Sequence, residues 1–393
     1  MIYIAEKDRC CGCGACENVC PANAIKMEYD GEGFIYPVVD DQKCVDCGAC
    51  GRVCPVKAFE GKVYPDYLKT YAGYSTESSV MKGCASGGFA TALSKLMLDE
   101  GGVVFGVKYT DDLIRAEYTR VDTHDGLKAL MSSKYIQSEK GDIFKQIKSV
   151  LLDGRKALFI GCPCDVAALK LFLGREYEEL YTCELVCMGV TSYRIAEEYK
   201  KYTEKKNKAK LVSLNARSKA RGWFVPNLEE RFDNGKVKYT TLFGSYYGYG
   251  FQVYNRPSCF KCNFRDKNGE ADFRIGDFWG IKDTDRFWNK EGVSCIFVRT
   301  KKGLSLIPKL QGNGFRLFET DYATATESNM SSLRNKPQKY VELRERFASV
   351  FKEEGLVAAC NATSSWSFKA KRLIPQGLQG TAKKIYHKFV DKR

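Results

Sequence analysis

The stretch from Cys10 to Pro55 constrains this chain more than any other. It reads CCGCGACENVCP and then, from Cys44, CVDCGACGRVCP, so the run C-x2-C-x2-C-x3-C-P occurs twice. That spacing belongs to two-cluster iron–sulfur modules. Three thiolates of one tight loop cap three corners of a [4Fe-4S] cube, and the fourth cysteine reaches across to the other cube. The expected ligand sets are therefore Cys10, Cys13, Cys16 and Cys54 for one cluster, and Cys44, Cys47, Cys50 and Cys20 for the other. Gly12, Gly14 and Gly48 let the backbone close around a cube, and Pro21 and Pro55 stop each run. Zinc sites pair two C-x2-4-C units and have no use for a third cysteine followed by x3-C-P. Cys11 falls outside the register and reads as a spare thiol.

A chain of 393 residues has room for two or three domains and a sizeable core. Its 18 cysteines, with no apolar leader before Cys10, read as cluster ligands in a reducing compartment, so the expected location is cytoplasmic. No run of eighteen apolar residues is present, and no membrane-spanning helix is expected. The formal charge of +14 counts every cysteine as neutral. Two or three clusters of about −2 each lower it to roughly +10 or +8. The remainder suits acidic redox partners such as a ferredoxin, and polyanionic cofactors. Nucleic acid is set aside because no recognition motif accompanies the charge.

Hydrophobic patterning gives a multidomain α+β/α/β chain. A small ferredoxin-like domain spans 1–62, a mixed α/β region 63–205 and a β-rich region 206–335, and a helical, basic segment closes the chain over 336–393. Ile25, Phe34 and Ile35 are apolar positions available to shield the clusters or to pack a core. The loop Ser86-Gly87-Gly88 opens a helical pattern over 89–98, where free amides hold an anion or the serine is only a cap. Lys156 to Ile160 reads as a buried strand entering Gly161-Cys162-Pro163-Cys164-Asp165 and a helix. A looser copy leads to Cys187-Met188-Gly189. Cys164, Cys187, Cys259 and Cys262 each sit in a turn beside proline or glycine and form a candidate set for a third cluster. The rivals are zinc at Cys259 and Cys262, or a redox-active dithiol of Cys162 and Cys164. Cys183 reads as a small buried hydrophobe. From Lys369 onward eight Lys or Arg face one Asp, a tail that is either solvated or docked on an anionic surface.

Taken in order, the cluster loops, CPANAIKMEYDGEGFIYP, ASGGF, SSKYIQS, LFIGCPCDVAAL, CMGV, ARSKARGW, RPSCFKCNF and IGDFWG resemble the coenzyme F420 hydrogenase/dehydrogenase beta-subunit proteins. The resemblance covers residue 10 to about residue 282. It implies FAD in the central region beside a third [4Fe-4S] cluster held by Cys164, Cys187, Cys259 and Cys262. Ser86, Gly87, Gly88, Ser133, Lys134 and Tyr135 match its flavin-site segments, with Lys134 placed to stabilise negative charge on the flavin. It also implies electron exchange between a ferredoxin or partner subunit and FAD, and hydride exchange between FAD and an organic substrate, F420 in some members. Cys162 and Asp165 stand where many relatives have threonine and glutamine, and Met188 where they commonly have histidine. The chain's two histidines, His124 and His387, lie outside every motif. Proton donors are therefore sought in Asp165, Asp277, Tyr135 or water, and Lys134, Asp165 and Asp277 are the catalytic candidates. The expected function is an iron–sulfur flavoprotein oxidoreductase; the alternative is a non-catalytic relay subunit of a larger hydrogenase or dehydrogenase complex.

Overall fold

Each cysteine loop ends in one short helix, because a left-handed glycine supplies the turn that starts it. Gly14 (φ 73°) precedes α1 (Ala15–Val19) and Gly48 (φ 69°) precedes α2 (Ala49–Arg52). Between the loops, β1 (Ile25–Tyr29) pairs antiparallel with β2 (Ile35–Val39), Ile25 opposite Val39. Asp30 makes the turn, its carboxylate accepting from the amides of Glu32 and Phe34. The hairpin returns the second cysteine loop beside the first, so that α1 and α2 lie together. The structure is a computed structural model describing residues 5–59, 61–329, 333–365 and 368. The basic tail from Lys369 onward lies outside the described residues.

The body is built on one mixed sheet. Its strands are β3 (Lys69–Ser75), β4 (Val103–Tyr109), β5 (Ala116–Val121), β6 (Ser138–Glu139), β7 (Ala157–Gly161) and β8 (Leu180–Leu185), joined later in the chain by three more. A separate antiparallel sheet holds β9 (Leu211–Ser218), β10 (Asn227–Phe232) and β11 (Val237–Thr241). The large sheet is completed by β12 (Phe273–Asp277), β13 (Ser294–Val298) and β14 (Phe315–Thr320), in the order β14-β3-β13-β12-β8-β7-β4-β5-β6. The run β12-β8-β7-β4 is parallel. Helices cover this run, so its strands read as continuous apolar stretches: Val103, Val104, Phe105, Leu158 and Phe159 are fully buried. The sheet takes strands from both sides of residue 205, so the two regions expected on either side of that boundary share one core.

The helices of the body are α3 (Ser78–Gly83), α4 (Phe89–Asp99), α5 (Leu127–Leu130), α6 (Ile143–Leu152), α7 (Pro163–Leu173), α8 (Tyr193–Asn207), α9 (Tyr246–Val253), α10 (Lys301–Gly312), α11 (Tyr322–Thr326) and α12 (Gln338–Thr363). Pro163 starts α7 where its missing N–H costs nothing, and Ser192 caps α8 by accepting from the Arg194 amide. The described part of the C-terminal segment is not a free arm. In α12, Phe347, Phe351, Leu356 and Cys360 are buried, and Arg344 pairs with Glu32 of the N-terminal turn. The N-terminal module is anchored in the same core: Phe34 is fully buried and packs with Tyr254 at a ring separation of 5.6 Å. Of the apolar trio expected to shield the clusters or pack a core, Ile25 lines the cavity around Cys20, Cys44, Cys47 and Cys50, whereas Phe34 fastens the module to the body. Among the described residues no helix is long and apolar enough to cross a membrane.

Candidate functional site

The two cysteine loops repeat each other's backbone. Gly12 and Asp46, and then Gly14 and Gly48, occupy matching left-handed positions. Around the second loop, Cys20, Cys44, Cys47 and Cys50 line one cavity with Ile25 and Val39, which brings Cys20 to the other run's thiols as the spacing requires. Cys10, Cys16 and Cys54 are electrostatic neighbours, and Cys13 adjoins Cys16. Burial pushes the Cys16 thiol up, so a metal has to hold these groups as thiolates.

The first loop meets the body closely. Arg256 is fully buried and donates Nε to the Cys10 carbonyl at 2.6 Å and Nη1 to Gln137 Oε1 at 3.0 Å. Among the described residues, the buried N–H donors Gln137 Nε2 and Arg256 Nη2 have no hydrogen-bond partner. Orphaned donors beside a thiolate loop fit a cluster whose sulfurs accept them.

Beyond this loop lies a pocket whose lining includes six thiols: Cys11, Cys162, Cys164, Cys187, Cys259 and Cys262. Topology gathers them. Cys162 and Cys164 follow β7, and Cys187 follows its parallel neighbour β8, at the carboxyl edge where open α/β sheets place ligands. Cys259 and Cys262 come from the turn after α9, and Arg265 ties the two loops by donating to the carbonyls of Cys187, Met188 and Cys259. The four sequence candidates thus share one cavity. Cys162, which the sequence does not single out as a ligand, stands 3.8 Å from Cys187, and that hydrogen bond lowers the Cys187 thiol to about 6. Cys11 also lines this cavity, and the neighbouring thiols of Cys13 and Cys164 lower its pKa. Among the described residues no three of His, Cys, Asp or Glu gather closely enough for a single metal ion. Thiols spread around a cavity suit the corners of a multi-iron cube better than one tetrahedral zinc.

Asp165 shares this cavity. It is buried, pairs with Lys140 at 3.2 Å and accepts from the Tyr118 hydroxyl at 3.0 Å; burial raises its pKa. Asp277 ends β12, next to β8 on the same sheet edge, and belongs to a different cluster of side chains. Arg217 binds it through both Nη atoms at 2.8 and 2.7 Å, and Trp223 Nε1 donates to it at 2.9 Å. The same Arg217 reaches the Tyr135 hydroxyl at 3.3 Å and the Ala85 carbonyl at 3.1 Å. The two segments matched to flavin binding therefore converge on one arginine, which sequence reasoning missed although it lies in the quoted ARSKARGW.

Within those segments, Ser86 Oγ donates to Val293 O and the Gly87 amide to Ser294 Oγ. A Cβ at Gly87 would meet Gly73 O at 2.2 Å, so this glycine serves sheet packing. Gly88 (φ 86°) starts α4 with no side-chain cap, and Lys219 Nζ lies over the loop at 2.9 Å from Ser86 O and 3.3 Å from Cys84 Sγ. An uncapped helix start beside an ammonium fits the anionic end of a cofactor. Lys134 behaves differently. Its Nζ donates to the carbonyls of Ala129, Met131 and Ser132 at the end of α5, and burial lowers its pKa to about 7.

These features define an iron–sulfur protein with a two-cluster module docked against an α/β body. The chain belongs to the coenzyme F420 hydrogenase/dehydrogenase beta-subunit family. Residues 70–144 match the N-terminal part of that beta subunit, residues 154–320 match its C terminus, and residues 9–58 match a 4Fe-4S dicluster domain. An uncharacterized protein of Methanocaldococcus jannaschii is 24% identical over 373 residues, covering 84% of this chain and 94% of that protein. A chain from the F420-reducing [NiFe] hydrogenase complex of Methanosarcina barkeri, studied by xenon derivatization, aligns with a TM-score of 0.46 at 19% identity. The alignment covers 73% of this chain and 94% of that one.

Proposed function

We propose that this chain is an iron–sulfur flavoprotein oxidoreductase that exchanges single electrons with a ferredoxin or partner subunit and hydride with an organic substrate, F420 being the candidate the family name suggests. The observation that carries this reading is the sharing of one sheet edge by the six-thiol cavity and the Arg217 cluster, with the first cysteine loop opening onto the cavity through Cys11. The clusters supply one-electron transfer when bound, and FAD joins it to two-electron hydride chemistry.

The chain's residues divide this work. Cys10, Cys13, Cys16 and Cys54 hold one N-terminal cluster, Cys20, Cys44, Cys47 and Cys50 the other, and Cys164, Cys187, Cys259 and Cys262 a third. Cys44 and Cys47 are exposed, where a redox partner has access. The start of α4 with Lys219 takes the flavin's anionic end. Arg217, fixed by Asp277, places a buried positive charge between Ala85 and Tyr135. Asp165 is the carboxylate candidate on the cavity side, oriented by Lys140 and Tyr118.

Anaerobic purification with iron and flavin counts tests this reading. About twelve irons and one FAD are expected, at four irons per cube; about eight irons and no flavin would overturn it. Cys259→Ser is expected to lower iron to about eight while both N-terminal cluster signals persist. A non-catalytic relay is the second reading, favoured by the engagement of Lys134 Nζ and of the Asp277 carboxylate with protein groups. Full iron without flavin would select it.

A further inference from the structure

Arg256 has no carboxylate partner among the described residues, yet none of its surface reaches solvent. It contacts the Cys10 carbonyl, the Gln137 amide oxygen, and the faces of Tyr36 at 3.9 Å and Phe34 at 6.0 Å. A buried cation without a counter-charge is costly, and its charge acts at short range with little screening. The orientation of Gln137 is fixed, because its Oε1 accepts from both Ile35 N and Arg256 Nη1, each at 3.0 Å. Its orphaned Nε2 therefore faces the cysteine loop: a Cβ at Gly12 would stand 2.3 Å from that nitrogen and 3.0 Å from Arg256 Cζ.

Among the described residues the second loop has no such buried clamp. There Arg52 Nη1 donates to the Cys47 carbonyl at 3.0 Å, a position matching Cys13 and not Cys10, and does so from an exposed side chain whose charge water screens.

We propose that Arg256 and Gln137 form a buried clamp that raises the reduction potential of the cluster held by Cys10, Cys13, Cys16 and Cys54. Burial alone makes that cluster harder to reduce, since reduction adds a negative charge. A buried cation and N–H donors to its sulfurs stabilise the reduced form and offset this. The clamp keeps the inner cluster within reach of the exposed one, so electrons pass inward towards the cavity.

The inference rests on the presence of both N-terminal clusters. The experiment is a potentiometric titration of the anaerobically purified full chain, followed by electron paramagnetic resonance. The inner signal is identified as the one lost in Cys13→Ala. Arg256→Gln is expected to lower the inner midpoint by at least a tenfold change in the one-electron equilibrium, about 59 mV, with the outer midpoint unmoved. Arg256→Lys, which keeps the charge, is expected to restore most of the shift. Gln137→Met, which keeps size but removes both the Nε2 donor and the Oε1 that accepts from Arg256, is expected to shift the inner midpoint the same way by less; it carries the test if Arg256→Gln does not assemble. An inner midpoint unchanged in Gln137→Met and in every assembled Arg256 variant, or equal movement of both midpoints, overturns the clamp. Loss of either signal from the unmodified protein instead overturns the two-cluster reading beneath it.

Discussion

The two cysteine loops are near copies in sequence and backbone, and the fold uses them for opposite purposes. Cys44 and Cys47 of the second loop are exposed, with Val45 66% exposed between them. In the first loop Cys13 is buried, Gly12 is pressed by Gln137 and Arg256, and Cys11 leans into a cavity formed by another part of the chain. Equivalent cysteine loops become an outer and an inner loop through what is packed around them. Asp46, the counterpart of Gly12, shows how far the environments differ: a side chain is tolerated at one position and has no room at the other.

The largest expected effect falls on the docking that creates this asymmetry. Phe34→Ala removes the ring that fastens the module to the core and is expected to cost about 3–5 kcal/mol in chemical denaturation; a cost below about 1 kcal/mol would mean that the module does not depend on this contact. Next comes the loop itself. Gly12→Ala combines a left-handed backbone with an overpacked contact and is expected to cost more than about 2 kcal/mol, while Asp46→Ala at the matching position stays within about 1 kcal/mol. Similar values for the two would erase the distinction between the loops.

Cys11→Ala is expected to leave iron content and stability nearly unchanged while slowing electron exchange between the N-terminal module and the cavity in rapid-mixing absorbance traces. Iron loss in this variant would make Cys11 a ligand instead of a contact. The smallest effect concerns Lys134. Its folded pKa of about 7 lies below the ordinary 10.5, so between these values the unfolded chain binds more protons and stability rises with pH. Denaturation midpoints measured across this window should climb less steeply in Lys134→Met; an unaltered slope would show that the ammonium stays charged on its three carbonyls.

The approach of Cys20 to the second run's thiols was legible in the sequence because cluster chemistry dictates spacing. The helical pattern expected over 89–98 forms α4, and the buried strand expected from Lys156 to Ile160 forms β7, both legible from their apolar residues. The inner surroundings were not. Arg256 binds Cys10 across 246 positions of chain, and Gln137 binds Ile35 across 102, separations that leave no local pattern. Cys11 looked spare because register assigns ligands within one loop, whereas its contact to Cys164 depends on docking. A boundary near residue 205 was suggested by the lysine-rich run, yet β12 and β13 return to pair with β8 and β3. Charge runs mark solvated faces, and α8 carries this one on its surface while its other face packs in the core.

The division into an outer and an inner cluster is tested most directly by adding a soluble paramagnetic complex to the reduced protein and measuring the spin relaxation of each N-terminal cluster signal. The signal lost in Cys44→Ala should relax faster as the complex is added, while the signal lost in Cys13→Ala stays protected. Equal enhancement of both signals would contradict the account.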